Sequence, residues 1–347
     1  MEIFVYILPC GRGDTILLSL PAQDGRDWVL IDCNLPKGPV RAAFFDFIES
    51  NRIQRLEVMC LTHPHDDHFT GMEDVLKHFT SGGRSIGTFC DVGITPTEIN
   101  STVRADTALE YLKLIEAVLD RYRSGQIAYF RADSNSNPIY ASFPDKNLSL
   151  VAVGPPPGRV RLATALALSR VTIEGYEGDP NSLSLVLALL YRDANVHFDA
   201  LLCADVDALG FHSAIKCLCS QSGAGEAKFD ILKVAHHGSQ KSHTGSSAHK
   251  FRKPQRECVA AISAGSSKKH PDPAVVKDFL AENWVVLCTT TNAGTPAPNN
   301  ALQLSSYRGG IYRRYHRLRI KWSSIEGLSW EPKEAQLKAQ MFEVFST

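Results

Sequence analysis

Three imidazoles and two carboxylates fall within six consecutive residues, His63 to His68, in the run Leu61-Thr62-His63-Pro64-His65-Asp66-Asp67-His68-Phe69-Thr70-Gly71. The apolar stretch Leu56-Glu57-Val58-Met59-Cys60-Leu61 just before it predicts a buried strand. Side chains at the mouth of a strand splay in several directions, so His63 and His65 can grip one cation while Asp67 and His68 turn to a second. Neutral imidazole and carboxylate suit zinc, and also manganese or iron. The order strand, ligand loop, helix puts such a site at the end of a sheet, with a helix expected over residues 70–79.

Two further strand exits carry ligand chemistry. Phe198 to Cys203 is apolar apart from Asp199 and runs into Ala204-Asp205-Val206-Asp207. A carboxylate where a buried strand surfaces can bridge two cations, one on each oxygen, which makes Asp205 the candidate bridge. The competing role is capping a helix expected from about Asp207 to Cys217, and Asp207 is a candidate to support the ligands from behind. Phe229 to Val234 predicts a strand that exits into Ala235-His236-His237-Gly238-Ser239. One of His236 and His237 is expected on the second metal and the other on the substrate or leaving group, and the sequence leaves open which is which. Gly238 permits close approach of backbone to ligand, and Ser239, Ser242 and Thr244 offer hydroxyls to phosphate oxygens.

Elsewhere the pattern is α/β. Strands are expected at Ile3 to Leu8, Thr15 to Leu20, Trp28 to Asp32 and Ser85 to Asp91, with a helix over Val40 to Glu49. Residues 95–178 read as an insertion able to wall or lid the site. Within it, helices are expected over Thr102 to Tyr122 and Val160 to Leu168, and strands at Ile127 to Phe130 and Leu148 to Val153. Residues 301–347 read as a C-terminal extension packing on a 1–300 domain. Its run Arg317-Leu318-Arg319-Ile320-Lys321-Trp322 alternates with period two and predicts a half-buried strand with one basic face. That face could guide a polyanion, with Tyr312 and Tyr315 as stacking surfaces, or simply meet solvent.

Lysine plus arginine balance aspartate plus glutamate at 37 each, so no global field draws the chain to nucleic acid or an anionic membrane. The cysteines are odd in number, 9, lie mostly in apolar runs and form no CxxC pair, which suits a reducing compartment better than a disulfide framework. The amino terminus lacks a basic region before its short apolar run. No stretch approaches the roughly 20 apolar residues of a spanning helix, so a soluble, cytoplasmic protein with no membrane partner is expected.

The word HxHxDH, carried by His63, His65, Asp67 and His68, resembles the metal motif of the metallo-β-lactamase fold superfamily. The flanking words are similar to the ComEC-type branch, the hydrolase domain of bacterial DNA-uptake channels and its free-standing relatives. They include Gly11, Gly13 and Asp14 in a Gly-x-Gly-Asp turn, Ile31-Asp32 closing a strand, and Ala204-Asp205 where the family has Gly-Asp. His-His-Gly-Ser follows at His236 to Ser239, and a Gly-rich turn ends in His270-Pro271. The resemblance implies an αββα sandwich with the metal site at one edge. It also implies that Asp32 lies under the metal loop and orients it, that His270 lines the pocket, and that the head of Asn181-Ser182-Leu183-Ser184-Leu185-Val186 faces the site. Many members place a third first-site histidine in that last stretch; here Asn181 or Asp179 would substitute.

Hydrolysis follows from this ligand set. Two divalent cations, zinc or alternatively manganese, turn a bridging water into hydroxide near neutral pH, with no serine or cysteine nucleophile. Asp67, Asp205, His237 and His270 are the residues expected to carry catalysis, with Ser239, Lys268 and Asn181 on the substrate. Lys268 and Lys269 are candidates to hold an anion, or solvated turn residues. The ComEC-type resemblance implies a phosphodiester substrate, and the neutral chain, which disfavours a long duplex footprint, shifts the preference to a small nucleotide or short single strand. An ester, lactone or thioester hydrolase and a non-catalytic metal-bound binding protein are the alternatives, and protein partners are undetermined.

Overall fold

Strands β4 (Arg55–Leu61), β12 (Val259–Ser263) and β13 (Val285–Thr289) are buried on both faces over most or all of their length. Such strands belong in sheets covered twice, by another sheet and by helices. The computed structural model describes residues 1–8, 10, 13–93, 105–142, 147–161, 180–194, 196–222, 226–264, 270–289, 311–315, 318–324 and 326–331. It shows two eight-stranded sheets packed face to face. The first contains β1 (Glu2–Ile7), β2 (Thr15–Ala22), β3 (Gly25–Cys33), β4, β5 (Ser85–Asp91), β6 (Ala128–Arg131), β15 (Leu318–Ser323) and β16 (Gly327–Glu331), in the order β16-β15-β1-β2-β3-β4-β5-β6. The second contains β7 (Tyr140–Ala141), β8 (Leu148–Gly154), β9 (Val186–Arg192), β10 (His197–Leu202), β11 (Ile231–Lys233), β12, β13 and β14 (Ile311–Tyr315), in the order β14-β13-β12-β11-β10-β9-β8-β7.

Period-two alternation splits the second sheet between two cores. Leu187, Leu189, Ala200, Leu202, Ile231, Val259, Ala261 and Leu287 share a cluster with Ile3, Val5, Leu17 and Leu30 of the first sheet. Their chain neighbours Ala188, Leu201, Leu232, Ala260, Ile262 and Val286 point the other way. There they meet Phe211 and Leu218 of α5 (Ala208–Ser222) and Val276 and Phe279 of α7 (Pro273–Ala281). The first sheet is covered by α1 (Pro39–Ser50), α3 (Met72–Phe79) and α4 (Ala105–Arg123), which bury Phe44, Ile48, Val75, Leu76, Leu114 and Val118. The chain is thus an α/β sandwich with helices outside two sheets, the αββα arrangement that the motif implies.

The site lies where both parallel halves end. β3, β4, β5 and β6 run parallel in one sheet, and β10 to β14 run parallel in the other. Loops leaving carboxyl ends of parallel strands converge on one edge, where ligands bind in open α/β sheets.

The structure adds to the sequence reading in three places. The helix expected over residues 70–79 is α3, and a short helix that the sequence pattern does not signal, α2 (Asp66–Phe69), precedes it inside the ligand loop. They are separated at Gly71, where a Cβ would stand 2.4 Å from Leu35 Cβ. Residues 95–178 give, in their described parts, α4, β6, β7 and β8, which extend both sheets; the helix expected at Val160 to Leu168 lies outside the described residues from 162 onward. Residues 301–347 give β14 to one sheet and β15 and β16 to the other.

The tail strand is tied into the core. Trp322 is buried, with its ring 5.6 Å from Tyr191 and 4.9 Å from Phe198 between centroids. The basic face of β15 is engaged within the chain. Lys321 pairs with Glu2 at 2.5 Å and Glu326 at 3.4 Å, and the Arg319 guanidinium sits 4.5 Å over the Phe4 ring. Arg317 lies outside the described residues, as do the side chains of Tyr312 and Tyr315. Among the described residues, no helix is long and apolar enough to cross a membrane.

Candidate metal centre

The ligand loop is held against the turn before β2 by its own backbone. The Asp14 N–H donates to the Asp67 carbonyl at 3.1 Å, and the Asn34 N–H donates to the Asp14 carbonyl at 2.9 Å. A Cβ on Gly13 would stand 1.8 Å from that Asp67 carbonyl oxygen, so only glycine fits. The second sheet is joined at the same place, because the Leu185 N–H donates to the Thr62 carbonyl at 3.0 Å.

Asp205 is buried at the centre of the ligand residues. Its Oδ2 lies 4.0 Å from His63 Nε2 and 3.7 Å from His236 Nε2, and its Oδ1 lies 3.5 Å from both His68 Nε2 and His237 Nε2. Asp67 closes the Oδ1 side, with Oδ1 at 3.9 Å from His68 Nε2 and Oδ2 at 3.6 Å from His237 Nε2. Each Asp205 oxygen therefore faces its own pair of imidazoles. His65 stands beside the first pair, its ring centroid 4.8 Å from that of His63.

Proton positions in this cluster follow from the partners behind it. Asp32 Oδ1 accepts the Thr62 N–H at 2.8 Å, and its Oδ2 accepts the Thr62 hydroxyl and His68 Nδ1–H, both at 2.7 Å. The Thr62 hydroxyl has thereby spent its proton, so at His63 Nδ1, 3.1 Å away, it can only accept. His237 Nδ1–H donates to the Ser263 carbonyl at 2.7 Å. In all three rings Nδ1–H is engaged from behind and Nε2 is the nitrogen turned toward Asp205, the arrangement by which a rear partner orients a ligand. Behind His236, the Ser242 hydroxyl lies 3.1 Å from Nδ1.

A cation fits what these residues leave unmet. His63 Nε2, His68 Nε2, His237 Nε2 and Asp205 Oδ1 are buried without a hydrogen-bond partner. Orphaned buried polar atoms are costly singly, and here four gather at the two oxygens of Asp205. The trio His63, His68 and Asp205 and the trio Asp67, His68 and His237 each present ligand atoms within 4.8 Å of one another. An imidazole and carboxylate donor set suits zinc or manganese.

Burial opposes a charge on His68, but Asp32 and Asp205 overcome it and hold that imidazole well above its ordinary range. Burial would raise the Asp205 carboxyl, yet His237, His68 and His63 hold it well below the usual carboxylate range. His63 is pushed well down by burial and by His68 and His65.

Backbone strain collects at the same spot. Asp32, Ala204, His236 and His237 hold left-handed backbone, with φ of 53°, 46°, 47° and 54°. This explains the glycine expected at position 204: the conformation costs an alanine on the order of 1 kcal/mol more.

Other candidates fall at different distances. The His270 ring lies 6.0 Å from His236 between centroids, and burial, with His236 and His237 nearby, lowers its pKa. Ser239 is buried, and its N–H donates to the His236 carbonyl at 2.8 Å. Asn181 is buried in a short 3₁₀ turn, Pro180–Leu183, at the head of the segment that meets Thr62. Lys268, Lys269 and Asp179 lie outside the described residues. Asp207, expected behind the ligands, is turned elsewhere. Its Oδ1 accepts the Gly210 N–H at 2.6 Å at the start of α5, and its Oδ2 pairs with Arg159 at 2.9 Å.

The sequence reading missed a buried ion pair behind the centre. Lys233 Nζ lies 2.6 Å from Asp14 Oδ2 with both side chains fully buried, and Ser263 Oγ also bonds to Asp14. Burial would raise the Asp14 carboxyl, but Lys233 holds it below its ordinary value. Asp14 Oδ1 stands 3.8 Å from His237 Nδ1, so this pair backs the ring that faces Asp205. A lysine inside the apolar run Ile231-Leu232-Lys233-Val234 was the available signal, since lysine is almost never fully buried unless paired.

No protein-family model matches this chain, and no curated protein matches it significantly. Among solved structures it is similar to a diphosphatase of the PhnP family, at 12% identity over 92% of this chain and 99% of that one, with a TM-score of 0.40. It is also similar to the metallo-β-lactamase fold protein YhfI of Bacillus subtilis, at 9% identity over 92% and 100%, with a TM-score of 0.45. Unliganded yeast PDE1 aligns at 12% identity over 90% and 97%, with a TM-score of 0.37. Similarity at this level leaves the substrate to the chemistry of the site.

Proposed function

We propose that this chain is a metal-dependent hydrolase that cleaves phosphodiester bonds in small nucleotides or short single strands. The observation that carries the reading is Asp205, whose two oxygens face separate imidazole pairs, His63 with His236 and His68 with His237. Such an arrangement suits a pair of divalent ions, which would acidify a bound water and stabilise charge on the phosphoryl oxygens. His63, His65 and His236 would hold the first ion, Asp67, His68 and His237 the second, and Asp205 both. On this reading His236 is the third first-site ligand, and neither Asn181 nor Asp179 is needed there.

The protein's own part is to present the Nε2 atoms in fixed directions. Asp32, Thr62 and Ser263 do so for His63, His68 and His237, which leaves little reorganisation for the reaction itself. The open side of the cluster carries Asp67 and His236, whose side chains are 31% and 28% exposed. His270 stands beside it with a lowered pKa, available as a neutral imidazole to exchange a proton with the leaving oxygen. This wall of imidazole and carboxylate favours an oxygen-rich anion bridged by metal over an apolar ester. The 9 cysteines, all unpaired, support a cytoplasmic setting. The ComEC-type words at Gly13-Asp14, Ala204-Asp205 and His236 to Ser239 support the nucleotide class.

The test is turnover by the full chain, loaded with zinc or with manganese, on bis(p-nitrophenyl) phosphate beside p-nitrophenyl acetate, a lactone and a thioester. Phosphodiester cleavage that disappears in His68→Ala is expected. Turnover confined to the carboxyl compounds would overturn the substrate class, and turnover of none would leave a binding protein.

A further inference from the structure

A second cluster of ligand chemistry lies away from Asp205, between α6 (Gln240–His243), the 3₁₀ turn Ala248–Phe251 and α7. His243 Nε2 lies 3.3 Å from Asp278 Oδ2 and 3.3 Å from His249 Nδ1. All three ligand atoms fall within 4.8 Å of one another. We propose that His243, His249 and Asp278 form an additional zinc site, distinct from the centre around Asp205, that fixes α6.

The spacing is the first reason. Zinc bonds of about 2.0–2.1 Å in tetrahedral geometry put neighbouring donor atoms about 3.3–3.4 Å apart, the distance seen on both sides of His243 Nε2. The second is proton counting. A ring nitrogen offers one in-plane direction, used either by a proton or by a lone pair. His243 Nε2 cannot donate to the Asp278 carboxylate and also accept from His249, so a purely hydrogen-bonded trio must share one proton between two acceptors, both 3.3 Å away. A cation at the centre meets all three donors at once.

The rings are also placed in advance. His243 and His249 pack on Phe279, with centroids 5.4 and 6.3 Å away. The buried Trp284 indole N–H donates to the His249 carbonyl at 2.7 Å. Burial lowers the pKa of both histidines, and His249 lowers that of His243 further. The Asp278 side chain is 50% exposed, which gives an ion a way in from solvent and leaves room for water as a fourth ligand. α6 carries a consequence for the main centre. His243 ends it, and Ser242, one residue earlier, is the hydroxyl behind His236.

The experiment uses the full chain with zinc alone as the probe. In an Asp67→Ala/Asp205→Asn background, which weakens the main centre, competition with a chromophoric chelator should show zinc bound at the additional site. Adding His249→Gln and Asp278→Asn should weaken that site at least 100-fold. The same two substitutions in the otherwise unaltered chain should remove one zinc equivalent by mass spectrometry and leave the ions around Asp205 in place. They should also lower the midpoint of thermal unfolding in zinc but not in chelator. Unchanged zinc stoichiometry in that variant would overturn the proposal, whether or not the background variant folds. Because the readout is metal content and not turnover, loss of the phosphodiesterase reading would not touch this result, nor would loss of this site touch that reading.

Discussion

Lys233→Met tests the support behind the metal centre most directly. An exposed ion pair is worth about 0–1 kcal/mol, and its loss would scarcely register. The Lys233–Asp14 pair belongs to a different class, because both side chains are fully buried and 2.6 Å apart. Removing one partner of a buried pair strands the other's charge in a poorly polarisable interior, at a cost of about 3–5 kcal/mol. Urea unfolding at pH 7.5 should show a loss of that size. The pH dependence has a definite sign. In the native chain Lys233 holds Asp14 below its ordinary pKa, so the stability that carboxylate contributes is present above the unfolded value and fades as pH falls. In the variant burial acts without opposition from Lys233, the folded pKa rises, and the folded state takes up a proton as pH falls. Both effects narrow the gap between variant and native chain in acid. Asp14→Asn added to Lys233→Met should recover much of the loss, since an amide carries no stranded charge. A cost below about 1 kcal/mol at pH 7.5, or one that does not shrink toward pH 5, would refute this account of the pair.

Asp205→Asn should retain the fold by circular dichroism but bind less metal and lose about three powers of ten or more in phosphodiester turnover, since an amide cannot bridge two cations. Asp91 is buried among the Tyr111 and Tyr129 hydroxyls, at 3.3 and 3.1 Å, and burial raises its pKa to about 6 despite those donors. A carboxyl whose folded pKa is raised destabilises the fold once ionised, so its contribution falls by about 3 kcal/mol as pH rises from about 4 to about 6. In Asp91→Asn that slope should vanish from unfolding free energies measured across the range. Replacing Arg319 and Lys321 with glutamine should leave the salt dependence of oligonucleotide binding unaltered, because Lys321 is paired with Glu2 and Arg319 lies over Phe4; a log–log slope smaller by about two would show instead that β15 contacts phosphate.

Local patterns carried what is contiguous in the chain. The run from His63 to His68 was legible as ligand chemistry because its residue types are metal donors and an apolar strand delivers them together. The strands on either side were legible because apolar runs of that length bury themselves in sheets. Period and propensity act over a few residues, so they could not say how distant segments meet. The boundary at Gly71 depends on Leu35, a contact across 36 residues of chain. The tail read as a wet face before a basic guide for nucleic acid, and its pairing beside β1 is what brings Glu2 and Phe4 to its cations.

At the candidate site the division is sharper. Asp205 and the pair His236-His237 could be picked out as donors at strand exits, but their assignment to sides of a shared centre could not. That required β10 and β11 to lie parallel and adjacent, with a left-handed backbone at Ala204, His236 and His237 turning the two imidazoles toward different oxygens of Asp205. Asp14 and Lys233 are 219 residues apart and meet because the two sheets close over each other. Spacing in sequence carries no trace of such a meeting; what forces it is the cost of leaving either charge alone in the interior.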